Sequence, residues 1–466
     1  MKSCMVMLLM LASLSFTACG GSSGGATTTV TTTTTTTTTN VNEWTWVGGA
    51  NVVNQSGTYG TEGTAAAGNV PSGRNQAVSW TDASGNFWLF GGIQAPTASS
   101  DIFLNDLWKY SAGQWTWVSG SSTPNQAGIY GTLGVAAAGN VPGARCQAVG
   151  WTDSAGNLWL FGGLGLDSTG SSQNLNDLWK YSGGEWTWMG GSNVGEQSGV
   201  YGTLGTPAPG NFPGARALAV SWTDAAGNFW LFGGSGIDAN GASDYLNDLW
   251  KYSGGEWTWM SGANVIDQAG VYGTLGTAAA SNVPGARYEA IGWTDASGNL
   301  WLFGGGAGPD SQFNPLNDLW KYSTGQWTWM SGSNSVNQLG SYGTLGTAAA
   351  NNVPGARVAG ATWTDASGNL WLFGGDGYDS VGGVGILSDL WRYNAGEWTW
   401  VGGPNVGDQA GVYGTQGTAA SGNIPGARYS AASWTDASGN FWLFGGNGND
   451  SSGALGYLND LWKYGP

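Results

Sequence analysis

Six stretches of the chain carry carboxylates, five of them together with an aromatic ring, and none contains lysine or arginine. Each lies between a Gly-Gly doublet and a Leu-Asn-Asp-Leu-Trp or Leu-Ser-Asp-Leu-Trp run, and each is eleven residues long except the fourth, which has ten. Together they hold eight aspartates, Asp101, Asp167, Asp238, Asp244, Asp310, Asp376, Asp379 and Asp450, and five of the six add an aromatic: Phe103, Tyr245, Phe313, Tyr378 and Tyr457. Carboxylate oxygens accept hydrogen bonds from sugar hydroxyls and a flat ring stacks on a sugar face, so the pattern points to glycan binding. The same oxygens suit Ca²⁺. A solvated acidic rim with its rings folded back as packing would carry the same residues.

An arginine also recurs six times, as Arg74, Arg145, Arg216, Arg287, Arg357 and Arg428. Opened to a channel mouth, such a ring would hold a carboxylate or a sialate. The Asp-Leu-Trp runs supply an equal number of acids (Asp106, Asp177, Asp248, Asp318, Asp389 and Asp460), and charges are buried mainly when paired. A structural ring of six ion pairs is therefore expected. The chain has no histidine, which removes a Ser-His-Asp triad and His-ligated zinc. Glu289 breaks the symmetry of its repeat position and is the best general acid or base on offer. Cys146 fills a slot held elsewhere by Asn75, Ala217, Tyr288, Val358 and Tyr429, and reads as a packed small residue.

The elements that must position these groups follow from the repeat. Trp-Thr-Trp begins at Trp44, Trp115, Trp186, Trp257, Trp327 and Trp398, at spacings of 71, 71, 71, 70 and 71. One copy, read from Arg145, holds four short β-branched and aromatic runs separated by Gly, Asn, Asp and Ser clusters, which are four antiparallel strands, A to D. The A–B and C–D turns then lie on one rim, and the B–C and D–A loops on the other. The D–A connection is long and uniform, with 28 residues from the second Trp of strand D to the next Arg in every copy, which suggests a structural layer. The first element, 43–47, is a lone strand D, and the last unit stops after strand C at Tyr464. A ring closes if that strand completes the sixth sheet, leaving no open edge. The expected fold is an all-β, six-bladed β-propeller of four-stranded antiparallel blades over 42–466.

The Gly-Gly doublet after a hydrophobic strand, then Asn-Asp-Leu-Trp-Lys-Tyr and a downstream Trp, resembles the kelch repeat, here in six copies over 43–464. The resemblance implies a propeller like the central domain of galactose oxidase. It implies little about activity, because kelch propellers serve as adhesion modules, ubiquitin-ligase adaptors, sugar isomerases and the body of galactose oxidase. Without histidine, the copper site of that oxidase has no ligands of its usual kind. An enzyme of sialidase or sialate mutarotase type, working with Arg, Glu, Tyr and Asp, is the alternative to a binding or adhesion propeller that recognises a glycan or protein through its B–C loop rim.

Residues 1–18 read as a secretory signal: Lys2, an apolar stretch too short to remain as a membrane span, and then Phe16-Thr17-Ala18-Cys19. That run resembles a bacterial lipobox, and the resemblance implies that Cys19 would be the lipidated first residue of the mature chain. Residues 19–41 form a Gly/Ser/Thr-rich linker whose threonine run, 27–39, would span about 40 Å when extended. The expected location is the outer membrane or cell surface of a bacterium, with the lipid as the only membrane contact. A formal charge of −16 opposes nucleic-acid binding, no cofactor is called for, and the unit should be monomeric.

Overall fold

The computed structural model describes residues 42–95, 102–308 and 313–465. The signal, the linker with Cys19, and the candidates Asp101 and Asp310 lie outside the described residues. All regular structure among the described residues is β, and no helix among them is long and apolar enough to cross a membrane.

In the first blade strand A runs in two pieces, Arg74–Asn75 and Val78–Thr81, followed by B, Phe87–Gln94, C, Ile102–Ser111, and D, Gln114–Ser119. Five further blades repeat this order. The sixth takes its strand D from the start of the chain: Trp44–Gly48 pairs antiparallel with Leu461–Tyr464, Trp44 opposite Tyr464 and Trp46 opposite Trp462. Six all-β blades thus form a propeller closed by its N-terminal strand.

Strand A is broken where a single strand was expected. Gln76, Gln147, Leu218, Glu289, Ala359 and Ser430 all have φ between 50° and 60°, a left-handed turn inside the strand. Each of these residues donates its amide to the carbonyl of its counterpart in the preceding blade, at 2.9–3.1 Å, from Gln147 to Gln76 round to Gln76 and Ser430. The left-handed kink turns the peptide out of its own sheet, and the six bonds close a belt around the axis. The Gly-Gly doublet answers this kink: Gly91 and Gly92 have φ of 66° and 97°, and a Cβ on Gly91 would strike the Arg145 carbonyl of the next blade.

The blades are held face to face by rings. Trp151 stacks on Phe229 of the next blade at 3.9 Å between centroids, and Trp363 on Phe441 at 4.0 Å. Trp108, Trp179, Trp250, Trp320, Trp391 and Trp462 are completely buried, the largest apolar contribution a side chain can make.

The long D–A loops strap the outer edge of the following blade. After strand D of the first blade's predecessor, Gly63 donates to the Trp117 carbonyl at 2.8 Å and Asn69 Nδ2 to the Trp115 carbonyl at 3.2 Å. At the ring closure Gly417 and Asn423 bond Trp46 and Trp44 in the same way. Strand D would otherwise present a row of unpaired backbone groups, and the strap covers it.

The same loops complete a buried clamp. Asp106 receives both Arg74 guanidinium nitrogens at 2.7 Å, the Tyr59 hydroxyl at 2.7 Å and the Trp108 indole N–H at 2.6 Å. Burial, then the Asp106 charge, holds the Tyr59 phenol far above its ordinary value, so it remains a donor. The cluster recurs in every blade with Asp177, Asp248, Asp318, Asp389 and Asp460, all fully buried.

Candidate functional site

Three strands of each blade carry one residue apiece in a row that faces the rim of the B–C turns, just above the belt. The row reads Asn75, Ile93, Phe103 in the first blade and Cys146, Leu164, Asn174 in the second. It reads Ala217, Ser235, Tyr245 in the third and Val358, Asp376, Ile386 in the fifth. In the fourth Tyr288 lies opposite Gly306, and in the sixth Tyr429, Asn447 and Tyr457 line up. These rows border the B–C rim of the channel, the region called the cup below, where Tyr245 touches Tyr288 and where Tyr288 and Tyr429 both feel the charges of Glu289 and Asp376.

Its floor is built by the belt residues. Gln76 of the first blade reaches across the axis, and its Nε2 donates to Glu289 Oε1 of the fourth at 3.3 Å, while Gln147 Nε2 donates to Gln76 Oε1 at 3.0 Å. Further along strand A from that plug, Ser79, Thr81, Thr152, Thr223, Thr362 and Ser433 line an open pocket of about 380 Å³.

The two sides of the cup differ. On the first and second blades Phe103, Cys146 and Leu166 are buried together with Ile93 and Leu164 packed against them. The third to sixth blades bring in the tyrosines and Asp376, beside the aliphatic Ala217, Val358 and Ile386. Tyr245 and Tyr288 lie 4.8 Å apart between centroids at 31°, and Tyr288 lies over Gly306, where a Cβ would collide with its ring. Asn447 Nδ2 donates to the Tyr429 hydroxyl at 2.9 Å.

The charge state of this wall is set by desolvation and crowding of like charge. Glu289 is ringed by protein, and burial, opposed by the Gln76 hydrogen bond and reinforced by Asp376, pushes it up to about 7. Burial and then the Asp408 charge push Asp376 up to about 6. Tyr288 is pushed up to about 12 by burial, then by Tyr245, Glu289 and Asp376, so these groups share one electrostatic neighbourhood. No cation offsets them. The six repeat arginines are spent in the clamps, while Lys109, Lys180, Lys251, Lys321, Arg392 and Lys463 each lie 5.2–5.8 Å over a strand-B tryptophan. Lys2, outside the described residues, completes the thirteen basic residues of the chain.

The sequence candidates therefore separate into groups. Tyr245, Asp376 and Tyr457 stand in the cup wall. Asp244, Phe313 and Tyr378 are partly exposed on the same rim. Phe103 is buried in the apolar side. Asp167, Asp238, Asp379 and Asp450 are buried and cap their own turns: Asp167 Oδ1 accepts from the Thr169 amide at 2.8 Å and the Ser171 amide at 3.1 Å, and its Oδ2 from Gly195 of the D–A loop at 3.3 Å. Asp379 accepts from Val381, Gly382 and Gly383, and Asp450 from Ser452 and Ala454. Arg74, Arg145, Arg216, Arg287, Arg357 and Arg428 have their heads inside the clamps and away from the mouth. Among the described residues no three His, Cys, Asp or Glu side chains gather as a metal site.

The expected eleven-residue loops are mostly ladder. In the second blade strand B continues to Leu166 and strand C begins at Ser172, leaving a tight turn, so Asp376 proves to be a strand residue. Tyr288, Tyr429, Asn447, Gln76 and Asn75 were not among the sequence candidates. The signal was present: the two positions after each repeat arginine vary from copy to copy inside an otherwise regular strand.

No family model matches the chain, and no curated protein matches it. Solved structures similar to it include that of YjhT, 14% identical, with a TM-score of 0.49 over 84% of this chain and 95% of that one. Another is a fungal alcohol oxidase of the AA5 family in complex with copper, 13% identical, with a TM-score of 0.43 over 84% of this chain and 62% of that one. At these identities the likeness is one of overall fold and assigns no role to any residue of the cup.

Proposed function

We propose that the cup at the channel mouth binds carbohydrate and that the protein is a binding propeller displayed at a bacterial surface through Cys19. One observation carries the reading: within a scaffold repeated six times, departures from symmetry converge on one neighbourhood at the channel mouth. There, Tyr245, Tyr288 and Tyr429 stand beside the carboxyl groups of Glu289 and Asp376, and Tyr457 adjoins Tyr429. Rings for stacking and carboxylates for hydroxyl hydrogen bonds are what a sugar requires. The test is a glycan-array screen of the mature chain with and without calcium, repeated with Tyr245→Ala/Tyr288→Ala. Signals that survive the double variant at full strength would remove the cup from the reading. Display is tested separately: Cys19→Ser should release or misprocess the protein, and an intact, unacylated Cys19 in the mature chain, seen by mass spectrometry, would refute the anchor.

A second reading has its own support. A carboxyl group raised to about 7 is poised to give and take a proton at neutral pH, so Glu289 suits general acid/base work on a bound sugar. With the arginines committed to the clamps, such an enzyme would rely on Glu289, Asp376 and the tyrosines alone. Anomeric exchange or hydrolysis of array-positive sugars, followed by NMR and abolished by Glu289→Gln, would establish it.

A further inference from the structure

The cup has a surplus of acceptors and negative charge. Glu289 and Asp376 face it without a cationic partner. Asn447 spends its Nδ2 on the Tyr429 hydroxyl and leaves its Oδ1 buried with no partner. Asn75, 5% exposed and at the row position that Tyr288 and Tyr429 hold in their blades, also has a buried Oδ1 with no partner. Beside Tyr245, Asp267, held high by burial and then by the Asp244 charge, has one carboxylate oxygen buried and unpartnered. Buried acceptors without donors are costly, so a fitting ligand brings N–H or O–H groups. Two carboxylates inside a protein cup also favour positive charge far more than they would in water.

The rings point the same way. The electron-rich faces of tyrosines attract ammonium groups, and Tyr245 and Tyr288 form an adjoining pair beside the carboxylates. On the first and second blades the half-buried Ile93 and Leu164 are the apolar members of the row, of the kind that meets the C–H face of a pyranose. We infer that the ligand is a sugar bearing a free, protonated amine, a hexosamine unit without its acetyl group. The inference rests on the carbohydrate reading of the cup and goes beyond it by naming the ligand's charge. An acidic sugar finds no cation here, and a neutral one offers nothing to the charge that Glu289 and Asp376 carry when ionised, whereas an ammonium group favours their ionised forms.

The deciding experiment compares glucosamine oligomers with N-acetylglucosamine oligomers of the same length by titration calorimetry on the full mature protein near neutral pH. The backbone is identical and only the charged group differs. The free amine should bind at least tenfold more tightly, and Glu289→Gln and Asp376→Asn should each reduce that preference severalfold. Each variant is checked by its melting curve, and if one fails to fold, the other carries the arm. Equal affinity for the two oligomers, or binding of neither, overturns the amine inference. In those cases the glycan array decides the broader reading: a neutral glycan whose signal is lost in Tyr245→Ala/Tyr288→Ala keeps the carbohydrate site, and no cup-dependent glycan of any charge removes it.

Discussion

The clamp and the cup both bury carboxylates beside tyrosines, yet they behave in opposite ways. In the clamp every lone pair of Asp248 that matters meets a donor: two from Arg216, one from Tyr201 and one from Trp250, at 2.7–2.8 Å. The arrangement is repeated in each blade because it joins strand A, strand C and the D–A strap. In the cup the carboxylates have few donors, their protonation is pushed toward neutrality, and the residues change from blade to blade. Matched polar groups under burial make structure, while mismatched ones store a binding demand that a ligand can meet.

The largest test removes the shared scaffold. Deleting residues 42–49 takes away the strand that pairs with Leu461–Tyr464, and cooperative unfolding should be lost, with clamp and cup going together. A truncated chain that melts like the full one would show that closure is dispensable. Next, Asp248→Ala leaves Arg216 buried without a counter-charge and should cost ~3–5 kcal/mol in denaturant unfolding. Ligand affinity of the folded fraction should be unchanged, and a cup that fails with one clamp would make the two regions one unit.

The two sides of the cup give a smaller contrast. Phe103→Ala, in the buried apolar side, should cost ~3 kcal/mol. Tyr457→Ala, partly exposed on the other side, should cost under ~1 kcal/mol while weakening ligand binding. The reverse pattern would exchange their roles.

The smallest effect is in the pH profile. Glu289 is raised from 4.5 to about 7 on folding, so folding holds its proton between those values while the unfolded chain has lost it. Stability from this group is complete below pH 4.5 and is lost as pH rises through 7, by roughly 2 kcal/mol with channel water allowed for. Asp376 adds a drop of the same sign between 3.8 and about 6, and the facing groups Asp408, Tyr288 and Gln76 are unchanged in the test. Glu289→Gln should remove the upper part of the slope. The turn carboxylates work in the opposite sense: in Asp167, and in Asp82, which accepts from the Ser84 and Asn86 amides in the first A–B turn, the hydrogen bonds outweigh the burial that opposes them, the values are lowered, and the stability is lost in acid. A profile for Glu289→Gln that still falls from pH 6 to 7 as in the parent would place the titrating group elsewhere.

The blade count, the strands and the closing strand were legible in the chain because they depend on local alternation and on a period of about 71 residues, both written along the sequence. The break in strand A was not. Gln76 and Leu218 have no common chemistry, and their left-handed backbone follows from the hydrogen bond each makes to the blade before it. The aspartates of the six acidic stretches looked alike in sequence. Whether such a residue caps its own turn, as Asp167 does, or faces the cup, as Asp376 does, depends on where the ladder stops and on which face of strand B the residue falls. The cup itself is a product of closure. Gln76 and Glu289 lie 213 residues apart and meet across the axis only because the ring brings opposite blades together, which no periodicity within a single blade encodes.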